Sequence, residues 1–144
     1  MVHSINYLYK EENEGLLKAI YSYNGIESEK FKGDVMYVGM GSRYLEKSHT
    51  EDVTSVTYIE KDENIISLFG EGTKVIKGDA FEVELEEKFD ILLLDIWDKK
   101  MCLKKKNSEL IRLKKRFENN LKEGGKILHL KSVFAPNRKI KETI

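Results

Sequence analysis

The sequence predicts an α/β protein, with a short, doubly wound, mainly parallel sheet in a single domain over residues 1–144. Three observations lead there. Apolar runs of strand length alternate with stretches of helical periodicity, which is the pattern of βαβ units. Turn residues close the strand-like runs, as in Gly39-Met40-Gly41-Ser42 and Gly78-Asp79-Ala80. The run Phe89–Leu94 is apolar on both faces, as expected of a strand at the centre of a sheet covered on both sides. At 144 residues the chain suits one domain that buries roughly 70% of its unfolded surface.

The elements follow in order. Ile5, Tyr7 and Tyr9 alternate within His3–Tyr9 and suggest an edge strand. Leu16, Leu17, Ile20 and Tyr21 share one helical face. Asp34–Val38 is a short buried strand, and Val53–Ile59, rich in β-branched residues, is the next. The segment from Ile65 to Phe69 reads as a short helix stopped by Gly70 or Gly72, followed by a strand over Lys74–Lys77. After Phe89–Leu94, the spacing of Leu110, Leu113, Phe117 and Leu121 predicts a helix. Asn107 or Ser108 would cap it and Gly124-Gly125 would end it. Lys126–Val133 is the last strand expected.

Composition narrows the function classes. One Cys forms no intrachain disulfide, and His3, His49 and His129 do not combine with it into a metal-ligand spacing. The longest apolar run, Ile91–Leu94, is far too short to span a bilayer, and nothing resembles a signal peptide, so a cytoplasmic protein is expected. With 25 basic and 25 acidic side chains the net charge is zero, which argues against a generic nucleic-acid binder. The charges are segregated, however. Residues 82–98 carry seven acids against one Lys, and residues 99–116 carry nine basic side chains against Glu109. The basic block reads as a solvated helix face or as a local phosphate site.

Candidate functional residues lie where open α/β sheets bind ligands, at the carboxyl ends of strands beside the switch point. Gly39, Met40, Gly41 and Ser42 sit between a strand and an expected helix, where backbone N–H groups favour an anionic group. Tight turns also take glycine for conformational reasons. Glu60 ends the next strand, 21 residues after Gly39, a spacing at which a carboxylate can accept both hydroxyl hydrogens of a ribose. Otherwise it is an exposed acid in a charged turn. Asp79, Ala80 and Phe81 follow the third strand. There Asp79 is either a hydrogen-bond partner for an adenine amino group or an ordinary turn residue, and Phe81 a wall for the ring. Asp95 and Asp98, with Trp97 between them, follow the fourth strand; carboxylates at the mouth of a buried strand are costly unless hydrated, paired or used. Trp97 can wall a cation pocket or simply belong to the core.

These segments together resemble a known family. Val35-Met36-Tyr37-Val38-Gly39-Met40-Gly41-Ser42, Val56-Thr57-Tyr58-Ile59-Glu60, Gly78-Asp79-Ala80 and the run from Phe89 to Asp98 are similar to the motifs of class I S-adenosylmethionine (SAM) binding proteins. Leu121-Lys122-Glu123-Gly124-Gly125-Lys126 fits the same pattern, and Asp95-Ile96-Trp97-Asp98 resembles the polyamine-synthase branch. The likeness covers residues 33 to 133. It implies a Rossmann-like fold, with Gly39 and Gly41 against the methionine part of SAM, Glu60 on the ribose and Asp79 near the adenine. The chain departs from the pattern at Arg43, where a third glycine is expected, and at Tyr37, where an acid is common.

The resemblance supplies the expected chemistry. Methyltransferases and aminopropyltransferases of this fold have an acceptor site, commonly built with a lid or further strands, and only a short tail follows the expected fifth strand here. The leading expectation is therefore a lyase of the kind found in phage. It would cleave SAM, or a nucleotide conjugate such as SAM-AMP used as a CRISPR signal, to methylthioadenosine or its conjugate and homoserine lactone. Attack by the ligand's own carboxylate would do this, with SAM or its derivative as substrate and no separate cofactor. Asp95, Asp98 and Tyr37 are the catalytic candidates. The alternative is a small SAM-dependent methyltransferase or aminopropyltransferase, with SAM as cosubstrate and an acceptor site completed by a partner. A third reading is an interaction module using Lys104–Lys106 and Arg112–Arg116. The expected partners are a small nucleoside substrate and further copies of the chain, since an open sheet edge invites self-association.

Overall fold

The computed structural model describes residues 14–40, 43–95 and 103–130. Three helices are α1 (Glu14–Tyr23), α2 (Glu63–Phe69) and α3 (Leu103–Phe117). Five strands are β1 (Gly33–Val38), β2 (Val53–Glu60), β3 (Lys74–Lys77), β4 (Phe89–Leu94) and β5 (Leu121–His129). Short 3-10 turns lie at Ser28–Lys30, Leu45–Ser48 and Glu118–Asn120. All four strand pairings are parallel and the order is β3-β2-β1-β4-β5. The chain winds outward from β1 in both directions, so the switch point lies between β1 and β4.

Strand alternation divides the core in two. Val35, Tyr37, Tyr58, Ile91 and Leu93 point to the face covered by Leu17, Ile20 and Tyr21 of α1 and Ile65 of α2. Met36, Val38, Ile59, Leu92 and Leu94 point to the other, under Leu110, Leu113 and Phe117 of α3. Helices on both faces make the sheet doubly wound. Leu17, Val35, Met36, Leu92, Leu93 and Leu113 are wholly buried. Because helices cover both faces, Val35–Val38 of β1 and Ile91–Leu94 of β4 read as continuous apolar runs.

Local chemistry sets the ends. Helix α1 closes in a Schellman motif: Gly25 takes φ 75°, and the N–H groups of Gly25 and Ile26 bond to the carbonyls of Ser22 and Tyr21, both at 2.9 Å. Asp62 caps α2 by accepting from the Asn64 N–H at 2.8 Å. In the last turn of α3, Lys114, Lys115 and Arg116 lie where the helix dipole favours cations.

Three sequence-based expectations need correction. The middle of the sheet is β1, with β4 beside it. Helix α3 begins at Leu103, so Asn107 and Ser108 lie inside it rather than at its cap. It ends at Phe117, and Leu121 and Gly124-Gly125 belong to β5, which starts where Leu121 pairs with Phe89. The helical spacing from Phe117 to Leu121 is broken because Asn120 turns inward and donates to the carbonyls of Leu85 and Glu87. Gly124, at φ 79°, falls at the register break between Phe89 and Ile91. The proposed edge strand at His3–Tyr9 lies outside the described residues.

At the amino ends of the strands the charges form a closed network. Asp34 accepts from Lys122 Nζ at 2.7 Å and from the Ser55 hydroxyl at 2.6 Å. Asp90 accepts from the Asp34 N–H at 2.8 Å and from Lys122 at 3.3 Å. The hydrogen bonds from Lys122 and Ser55 hold the Asp34 carboxyl below the usual carboxylate range. Among the described residues, no helix is long and apolar enough to cross a membrane.

Candidate functional site

At the carboxyl ends of β1, β2 and β4 the backbone itself brings the predicted residues together. The N–H of Gly39 bonds to Ile59 O at 2.8 Å, and that of Asp95 bonds to Val38 O at 2.9 Å. Gly39 takes φ 96°, and a Cβ there would stand 2.4 Å from the Asp95 carbonyl oxygen. Glycine is therefore required at this position by the close approach of β4, before any ligand is considered.

Glu60 is 4% exposed, and its carboxylate is held entirely by backbone donors. Oε1 accepts from the Met40 N–H at 2.8 Å, and Oε2 accepts from the N–H groups of Lys61 and Asp62, each at 3.1 Å. A carboxylate offers about four acceptor positions, so Glu60 keeps about one for a ligand hydroxyl. It is thus buried and oriented, not an exposed acid in a charged turn. No salt bridge involves it among the described residues.

Asp95 is 8% exposed and accepts from the Tyr21 hydroxyl at 3.2 Å. Burial, and then the neighbouring Asp95 charge, push the Tyr21 phenol well above its ordinary range, so it remains a proton donor. Tyr21 stacks on Tyr44 at 6.0 Å and 8°. On the floor of the same cleft Tyr37 stacks on Tyr58 at 5.0 Å and 18°. The Tyr37 ring faces the cleft, while its hydroxyl is hydrogen-bonded to His49 Nε2. Burial raises the Tyr37 phenol as well and lowers His49.

Arg43 stands in place of the third glycine and adopts a glycine-like φ of 61°. Its guanidinium secures that conformation by bonding to Phe69 O at 3.0 Å, to Glu71 O at 2.9 Å and to the Glu46 carboxylate. Glu46 in turn accepts from the Tyr58 hydroxyl at 2.8 Å.

The end of β3 is arranged differently. Asp79 Oδ1 accepts from the Phe81 N–H at 2.9 Å, closing the turn on itself. Ala80 and Phe81 pack towards the α3 core, and the Arg112 guanidinium lies 4.5 Å from the Phe81 ring centre. Phe81 is half-buried against this core and lines an open hollow with Arg112, Lys115 and Arg116. Gly41, Ser42, Trp97 and Asp98 lie outside the described residues.

Two cavities adjoin these groups. A narrow cleft of about 10 Å³ is lined by Tyr21, Tyr37, Met40, Tyr58, Leu93 and Asp95 among others. A larger one of about 390 Å³ opens between α1 and the segment 26–48, where Lys18, Ile26, Glu29 and Ser48 join Tyr21 and Tyr44. The sequence marks Arg43 only as a departure from the glycine pattern and does not single out Tyr21 or Tyr44 for the site. Tyr21 matches the core face of a helix, and the only signal for Tyr44 is its position just after the glycine turn. No group of three or more metal-binding side chains occurs among the described residues.

No family model matches the chain, and no curated protein matches its sequence. Solved structures do share its fold. A SAM-dependent methyltransferase from Clostridium acetobutylicum superposes with TM-score 0.54 at 15% identity, over 81% of this chain and 48% of that one. A DhpI-SAM-HEP complex gives TM-score 0.63 at 12% identity, over 96% and 64% of the two chains. The N-methyltransferase NodS from Bradyrhizobium japonicum, in complex with S-adenosyl-L-homocysteine (SAH), gives 0.55 at 13%, over 88% and 62%. The protein thus has the Rossmann-like class I SAM-binding fold. It spans about half to two thirds of the length of these structures.

Proposed function

We propose that this domain binds SAM at the carboxyl edge of β1, β2 and β4 and takes part in a SAM-dependent transferase reaction. The carrying observation is that two buried acids flank the Gly39-Met40 turn from the strands on either side of β1, Glu60 through its carboxylate and Asp95 through its backbone carbonyl. The donor set suits a nucleoside with a cationic arm. Glu60 would accept one ribose hydroxyl. Asp95 would hold the sulfonium or ammonium charge by Coulombic attraction. SAM itself supplies an electrophilic carbon on its sulfonium. The protein's work is to orient that carbon and exclude water, which accounts for much of the acceleration in well-aligned reactions. The cavity beside α1 meets the cleft at Tyr21 and Tyr44 and offers space for a small acceptor. The solved structures of this fold named as methyltransferases support this reading.

A second reading keeps the site and changes the reaction. In it the carboxylate of SAM attacks its own γ-carbon, breaking the bond from that carbon to sulfur and releasing methylthioadenosine and homoserine lactone. SAH calorimetry together with mass spectrometry of the protein incubated with SAM alone separates the two. Binding with intact SAM supports a transferase awaiting its acceptor. Methylthioadenosine above the spontaneous rate makes the protein a lyase. Failure to bind either SAM or SAH rejects both readings.

A further inference from the structure

The crossover from β3 to β4, residues 78–88, contains no helix. Its backbone carbonyls must find partners elsewhere, and two side chains provide them. Arg116, in the last turn of α3, donates from Nε to Ala80 O at 2.9 Å and from Nη2 to Val83 O. Asn120, just beyond the helix, donates to Leu85 O at 3.0 Å and Glu87 O at 2.8 Å. The two straps differ in what they hold. Leu85 and Glu87 lead into the amino end of β4, away from the candidate site. Ala80 and Val83 belong to the turn that opens at Asp79, directly after Gly78, whose N–H bonds to Glu60 O at 3.0 Å. Glu60 then holds the Met40 N–H through its carboxylate. Hydrogen bonds joined by the backbone of residues 78–80 therefore connect Arg116 to Glu60 and the glycine turn.

We infer that Arg116 is a positioning residue for the base side of the nucleoside site, although it touches no ligand itself. The inference rests on the SAM reading above. A ribose held at Glu60 extends its base along the sheet edge. On the β3 side, Glu60 pairs with Lys77 and its carbonyl accepts from the Gly78 N–H, so the edge next to it is formed by the turn that Arg116 fixes. The residue type matters. A planar guanidinium presents donors in a fixed fork and can reach two carbonyls at once, whereas an ammonium is a point charge on a flexible stem. Arg112 adds to the strap by lying over Phe81.

The test is SAH titration of the full chain by calorimetry, with thermal melts, for wild type, Arg116→Gln, Arg116→Lys and the control Asn120→Ser. Both straps satisfy two carbonyls, so Arg116→Gln and Asn120→Ser should lower Tm to a similar degree. Only the Arg116 variants should lose affinity, about tenfold or more for Gln and less for Lys, with faster hydrogen exchange at the Glu82 and Val83 amides. Should Arg116→Gln not fold, Arg116→Lys carries the comparison. Wild-type affinity in the folded Arg116 variants overturns the inference while leaving the SAM reading intact, as does an equal loss in Asn120→Ser. Wild-type protein that binds neither SAM nor SAH overturns the SAM reading and this inference with it.

Discussion

The two edges of the sheet use the same side-chain chemistry to opposite ends. At the amino edge, Asp34 and Asp90 share Lys122, and Ser55 and a backbone N–H complete the set. At the carboxyl edge, Glu60 is held by three backbone N–H groups and Asp95 accepts from the Tyr21 phenol, which are uncharged donors. A carboxylate paired with an ammonium has its charge neutralised within the fold. The backbone donors that orient Glu60 carry no formal charge to neutralise it. The first arrangement fastens strands together, and the second orients the Glu60 carboxylate at the glycine turn.

The largest expected effect comes from Gly39→Ala. Its Cβ would meet a backbone oxygen in a conformation that L residues disfavour, so a destabilisation of more than about 2 kcal/mol and loss of SAH binding are expected in urea melts and calorimetry. Glu60→Ala comes next. It strips the acceptor from three N–H groups, should cost about 2 kcal/mol, and should weaken SAH at least tenfold. Unchanged affinity would remove Glu60 from the site and erase the contrast between the edges. Lys122→Met should leave SAH affinity unchanged, lower stability near neutral pH and weaken its pH dependence. The Asp34 carboxyl lies below its ordinary 3.8 in the folded state, so its contribution is present above that pH and is lost as pH falls through the folded value. The variant should flatten this acid limb in urea midpoints measured across pH. Tyr37→Phe should be the smallest, about 0.5–1.5 kcal/mol for the lost hydrogen bond to His49. Because burial lowers His49 below 6.5, wild-type stability should fall as pH drops below that value, and His49→Gln should remove this dependence.

Much of the fold was legible because its signals are local. Lys74–Lys77 and Phe89–Leu94 form strands with the predicted bounds, and Leu17, Ile20 and Tyr21 form the buried face of a helix. The position of Glu60 at the end of β2 followed from strand length and spacing alone. Leu121 was misplaced because its helical spacing from Phe117 is genuine, yet pairing with Phe89 and the inward turn of Asn120 outweigh it. Such partners lie more than thirty residues away in sequence and leave no periodic trace.

Apolar periodicity and neighbouring turn residues encode the class of sheet, the order of its elements and the strand ends at which Glu60, Asp79 and Asp95 fall. The partners of those residues come from packing. It closed Asp79 on its own turn, gave Glu60 three backbone donors and set Tyr21 against Asp95. It also let Arg43 replace a glycine by tying its guanidinium to Phe69, Glu71 and Glu46. The physical reason is the range of the forces. Periodicity reports which side of an element meets water, whereas a buried polar group must be satisfied by whichever donor or acceptor the packed chain brings within about 3 Å.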